Sequence, residues 1–106
     1  MSFWLINVPQ NLKVISDSPD FTVSYMKAGT PEFIEISMTP TFEGDSLYLM
    51  SHVFTELGKY LIKLKHNNNG QVHYNELEVI SKEEYMKLNT NYAVQYSGAY
   101  LVFDKE

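Results

Sequence analysis

Three side chains able to hold a metal or move a proton near neutral pH occur in the chain: His52, His66 and His73. Two of them bracket an asparagine run in "KHNNNGQVHY", residues 65–74. On two strands joined by a tight turn, His66 and His73 become cross-strand neighbours and offer two nitrogens to a zinc ion. A zinc site needs three or four ligands, usually from several elements. The chain has no cysteine and no HExxH pattern, so His52 is the only further imidazole. The stretch therefore reads as the tip of a hairpin, and neither a metal nor a cofactor is expected. Glu43 and Asp45 flank Gly44 and could form a carboxylate pair. Turns commonly carry such acids to bond their own backbone, which is the stronger reading here. Glu32 and Glu35 fall on opposite faces of a strand and cannot act together. No GxSxG, GxGxxG or phosphate-binding glycine loop is present. No nucleophile, base and orienting group can be assembled, so the expectation is a protein that is not an enzyme.

The elements that carry these residues read as strands. "SFWLINV" (2–8), "NLKVIS" (11–16) and "FTVSYMKA" (21–28) come first, the last with Phe21, Val23 and Tyr25 on one face. "EFIEISMTP" (32–40) alternates again and stops at Pro40. "EGD" (43–45) is a turn and "SLYLMSHVF" (46–54) a long apolar strand. "KYLIKLKHN" and "QVHYNELEVI" then flank Asn69-Gly70, the strongest short signal for a type I′ hairpin. With those two residues as the turn, Tyr60 faces Val79, Ile62 faces Leu77, His66 faces His73 and Lys63 faces Glu76. Apolar pairs share one face and opposite charges the other. "SKEEYMKLN" (81–89) changes period: Ser81 and Glu84 form a capping box, and a helix of about two turns is predicted near 82–88. "YAVQY" and "AYLVF" around Ser97-Gly98 suggest a last hairpin.

Short strands at even spacing with turn residues between them indicate a mainly β fold, an antiparallel sandwich with one short helix. At 106 residues the chain is expected to be a single domain, 1–106, with its core about 20–80 and a C-terminal helix plus hairpin over 81–103. Hydrophobic residues make up 44%, too many for a disordered chain. The N-terminus has no basic flank and only a few apolar residues, so no secretory signal peptide is expected. Without disulfides, a reducing compartment or an assembled particle is the expected setting: cytoplasmic, or within a virion. Thirteen acids against eight bases set the net charge at −5, which repels a phosphate backbone. The one basic cluster, Lys59, Lys63 and Lys65, has Glu76 and Glu78 across the hairpin. No nucleic-acid or membrane partner is expected.

Tyrosine is the unusual residue, with eight copies. Tyr92, Tyr96, Tyr100 and Phe103 fall within residues 92–103, a stretch without charge until Asp104. Aromatic density with charge depletion fits a protein contact surface, and these four are the expected partner-binding residues.

The corner "TELGKYLIKL" carries a further signal. Leu57-Gly58-x-Tyr60 resembles the entry to the penultimate strand of immunoglobulin-like and fibronectin type III sandwiches, where a turn glycine precedes a tyrosine whose hydroxyl bonds back to the corner. The resemblance covers about residues 20–80. It implies an adhesion or scaffolding module, with Tyr60 at the corner position and residues 59–80 as its last two strands. There is no disulfide, and Trp4 lies too early to be the core tryptophan of an antibody domain. In size and style the chain is also similar to accessory domains of tailed-phage virions. The expected function is a non-catalytic structural or protein-interaction module, such as a virion accessory or assembly protein in capsid, neck or tail. It would self-associate as a homo-oligomer or join a large assembly. Alternatives are a small inhibitor or adaptor of a host enzyme, and a carbohydrate-binding sandwich that uses Trp4 or tyrosines as stacking platforms.

Overall fold

A computed structural model describes residues 2–37, 39–88 and 101–103. Among these residues nine strands and one helix follow in chain order: β1 (Ser2–Leu5), β2 (Gln10–Ile15), β3 (Phe21–Lys27), β4 (Ile34–Glu35), β5 (Thr41–Gly44), β6 (Leu47–His52), β7 (Gly58–His66), β8 (Val72–Ile80), α1 (Lys82–Leu88) and β9 (Leu101–Phe103). They form two sheets, β1-β8-β7-β3-β4 and β5-β6-β2-β9. The fold is a β-sandwich with one short helix. Most neighbours are antiparallel, but β1 runs parallel to β8 and β9 parallel to β2.

The core is the space between the sheets. Leu12, Val14, Tyr48 and Met50 from one sheet meet Val23, Ile62, Leu64 and Leu77 from the other. Alternation produces this directly: along β7, Tyr60, Ile62, Leu64 and His66 are buried while Lys59 and Lys65 are exposed. Trp4 enters the same core from β1 and is 0% exposed, its ring edge-on to Phe54 at 5.4 Å. It cannot serve as a surface stacking platform.

Two strand expectations need correction. Among the described residues of 32–40, only Ile34–Glu35 form a strand, against Ser24 and Tyr25, so the one long strand expected there is not formed. A short edge strand follows at Thr41–Gly44, where a turn alone was expected. It reverses at Asp45 and Ser46, whose φ values of 52° and 64° make this the two-residue turn with both central residues left-handed.

The β7–β8 hairpin closes differently. Its pairs are Tyr60 with Leu77, Ile62 with Asn75, Lys63 with Tyr74 and Leu64 with His73. The expected register is displaced by two residues, which preserves every face. The loop holds four residues, 67–70. His66 N–H donates to the Gln71 carbonyl at 2.8 Å, and Gly70 N–H to the His66 carbonyl at 2.8 Å. Only Gly70 among them has positive φ, 74°. The loop is also anchored from outside the hairpin. Asn67 is held by β3: its N–H donates to the Asp20 carbonyl at 3.0 Å, and its side-chain amide to Asp20 Oδ1 at 3.2 Å and Thr22 Oγ1 at 3.1 Å. Asn67 is tied in this way to the start of β3, while pairing with the β8 side ends at His66 and Gln71.

The helix starts as expected, with Glu84 N–H donating to Ser81 Oγ at 3.2 Å. Among the described residues no helix is long and apolar enough to cross a membrane.

Candidate functional site

The expected partner-binding residues divide. Tyr92, Tyr96 and Tyr100 lie outside the described residues, as does the first arm of the expected C-terminal hairpin. Phe103 is on β9, where its backbone pairs with Val14. Two other surfaces carry chemistry.

The first is a cleft of about 290 Å³ at one end of the sandwich. Its walls come from the end of β3 (Tyr25, Lys27), the β3–β4 connection (Thr30, Pro31, Glu32), the end of β6 (His52) and the β6–β7 connection (Val53 to Glu56). Four rings form its floor. Tyr25 lies 5.3 Å from His52 and from Phe54, and Phe54 lies 4.6 Å from Tyr60. Gly58 at φ 134° turns the chain into β7, and an added Cβ there would come within 3.3 Å of the Lys27 side chain. Tyr60 Oη donates to the Glu56 carbonyl at 2.7 Å, four residues upstream. Lys27 Nζ reaches Glu56 Oε1 at 3.5 Å across the rim, with Glu56 largely exposed.

Burial lowers the His52 pKa, so the imidazole is neutral at physiological pH and presents one donor and one acceptor. Burial also raises the Tyr60 pKa, helped by the Glu56 carboxylate and Tyr25. Two of the cleft's hydroxyls are committed to the backbone: Tyr60 to Glu56, and Thr30 to the Lys27 carbonyl at 2.7 Å. The cleft is thus an aromatic floor with a polar rim, suited to holding a small polar ligand.

The second surface is the outer face of the five-stranded sheet. Tyr74 projects from β8 and is 56% exposed. Phe33 lies 6.4 Å from it, and Lys63 Nζ sits 4.5 Å over the Phe33 ring. Beside them Met26, Ala28 and Leu61 line a shallow groove with Lys59 and Glu76 at its edges. Only the alternation of β7 and β8 marked these positions in the sequence. Tyr74 was legible as a strand residue, while Phe33 reaches it from a loop across β3.

The histidine pair at the hairpin tip does meet. The His66 and His73 rings are edge-on with centroids 5.4 Å apart, as diagonal rather than directly opposed neighbours. His66 is buried, and its Nε2 has no hydrogen-bond partner among the described residues. A polar hollow of about 110 Å³ between Asp17 and the loop adjoins it. Among the described residues no three His, Asp or Glu side chains converge as metal ligands.

No protein-family model matches the chain, and no curated protein matches it. Among solved structures the chain is similar to part of "a putative glycoside hydrolase" from Bacteroides vulgatus, at 8% identity and a TM-score of 0.53. The match covers 76% of this chain and 16% of that one, so this chain corresponds to a small part of the larger protein. At such identity the likeness concerns the fold alone.

Proposed function

We propose that the chain is a non-catalytic protein-interaction module of immunoglobulin-like build, serving as an accessory or assembly part of a larger particle such as a phage virion. The observation that carries this reading is the outer face of the five-stranded sheet. Tyr74 and Leu61 stand among lysines and glutamates there, an aromatic and aliphatic centre with a charged surround, as in protein contact surfaces. The immunoglobulin-like reading is supported by the strand order, with β5-β6-β2 packed on β8-β7-β3. It is supported also by the Tyr60 hydroxyl bonding back to its corner. The uncharged segment holding Tyr92, Tyr96, Tyr100 and Phe103 is a second contact candidate. Co-sedimentation of tagged protein with particles from its source tests the reading. Co-sedimentation that Tyr74→Ala weakens is the expected result. A protein that never joins a particle, and instead captures one soluble enzyme, points to an inhibitor or adaptor.

A second reading, a carbohydrate-binding sandwich, is favoured by the end cleft. Its floor of Tyr25, His52 and Phe54 under a rim of Lys27, Glu32 and Glu56 has the makeup of small polar-ligand sites. The structural likeness to one part of a protein named as a putative glycoside hydrolase is compatible with it. Thermal stabilisation by a member of a soluble-glycan panel, lost in Tyr25→Ala, would support this reading; no response across the panel would remove it.

A further inference from the structure

We propose that the outer face of the five-stranded sheet binds a second copy of the same chain, with β7 of one protomer lying over β8 of the other. The inference rests on the interaction-module reading and names its partner.

The argument begins with how charge is sorted on this face. Every ionisable side chain that β7 directs outward is a lysine: Lys59, Lys63 and Lys65. Those that β8 directs outward include two carboxylates, Glu76 and Glu78, and no base. The register places Lys59 beside Glu78 and Lys63 beside Tyr74. Even so, among the described residues Lys59, Lys65, Glu76 and Glu78 form no ion pair within the chain. The face is a basic row next to an acidic one, close to neutral in total, on a protein with net charge −5. A foreign partner of one sign would be repelled by one of the two rows.

Symmetry selects the arrangement. Two copies of one face can pack together only about a two-fold axis lying in the plane of contact. An axis across the strands sets β7 over β7 and brings Lys65 against Lys59, which is repulsive. An axis along the strands, midway between β7 and β8, sets β7 over β8. Lys59 then meets Glu78 of the second copy, Lys63 meets its Tyr74, and Leu61 meets the stem of its Glu76. Each contact occurs twice. Tyr74 lands at the end of the groove that Met26, Ala28 and Leu61 line, where its ring gains apolar contact and a cation above it. The strands of the two sheets run nearly aligned, the usual geometry of face-to-face sheet packing.

A charge swap tests this. Sedimentation velocity of the unmodified chain over rising concentration should show a reversible monomer–dimer equilibrium. The double variants Lys59→Glu/Lys63→Glu and Glu76→Lys/Glu78→Lys should each dimerise at least about a hundredfold more weakly, because like charges then face each other on both sides of the axis. Mixed in equal amounts, the two variants should form a heterodimer within about tenfold of the original affinity, since residues 59 and 78 are again opposite in sign on both sides of the axis. Circular dichroism checks that each variant folds, and Tyr74→Lys, at an exposed position facing Lys63 of the second copy, gives an independent loss of dimer should a charge variant not fold. A chain that stays monomeric at every concentration overturns the proposal, as do dimers that survive both reversals or a mixture that stays monomeric. A monomer that still co-sediments with a particle removes the dimer and leaves the interaction module standing.

Discussion

The Tyr60 hydroxyl donates to the backbone carbonyl of Glu56, four residues back, over 2.7 Å, and locks the β6–β7 corner to the strand that follows it. Tyr60 is 5% exposed and packs on Phe54, so one side chain serves both the core and the corner. Removing only the hydroxyl, in Tyr60→Phe, should destabilise the fold by about 1 kcal/mol, the net value of one such hydrogen bond, in urea unfolding at neutral pH. The same group has an alkaline signature. Burial, then the Glu56 carboxylate, holds the folded-state pKa above the ordinary 10.0. The folded chain keeps this proton where the unfolded chain loses it, so its contribution is complete below about pH 10 and falls as pH rises through the folded value. Tyr60→Phe should flatten that part of the stability curve; an unchanged slope would contradict the assignment.

His52 gives the opposite slope on the acid side. Burial lowers its pKa below 6.5. The unfolded chain therefore takes up a proton first as pH falls, and stability present above pH 6.5 is lost as pH drops towards the folded value. In His52→Gln, thermal unfolding midpoints measured between neutral and mildly acidic pH should fall less steeply than in the parent.

At the hairpin tip, Gly70→Val should cost about 1–2 kcal/mol, since a β-branched residue is strained at φ 74°. Nothing lies within 4 Å of the site an added Cβ would occupy, so the cost is conformational and not a clash. Gly70→Asn, which tolerates that φ, should lose distinctly less. NMR contacts should join Leu64 directly to His73, with His66 paired to Gln71; direct pairing of His66 with His73 would contradict this register.

Trp4→Ala should destabilise by about 3–5 kcal/mol, the range for emptying a large buried aromatic site. Chemical denaturation followed by far-ultraviolet circular dichroism measures it without relying on tryptophan fluorescence.

The strands and their faces were legible because alternation is written residue by residue, as in Tyr60, Ile62 and Leu64 against Lys59 and Lys65. The helix was legible from Ser81 and Glu84, which are local signals. The hairpin register was not. Asn69-Gly70 suggests a two-residue turn, but the closing pair is His66 with Gln71, and the loop's tie from Asn67 to Asp20 and Thr22, more than forty positions earlier, is written in no local pattern. The left-handed two-residue turn formed at Asp45-Ser46, overlapping the turn expected at 43–45, with Gly44 before its two central residues and not among them. The end cleft was equally hidden. His52, Tyr25 and Tyr60 stand on three different strands, and only the packing of the two sheets brings their rings together. On the outer sheet face, the lysine row was visible, while the pairing partners of each lysine followed the register and moved with it.

The parallel pairing of β1 with β8 has a consequence for how the chain reaches this structure. Ser2 is matched to Leu77 and Leu5 to Ile80, so this edge of the sheet joins residues 75 positions apart (77 − 2). Such distant closure costs loop entropy before it returns any contact, and it slows folding relative to the local β7–β8 hairpin. During synthesis Trp4 leaves the ribosome ahead of every residue that will cover it. The largest apolar side chain of the core is made well before β8, the strand that β1 pairs with. In that interval β1 is open to wrong partners, and its apolar residues are ones a chaperone would find.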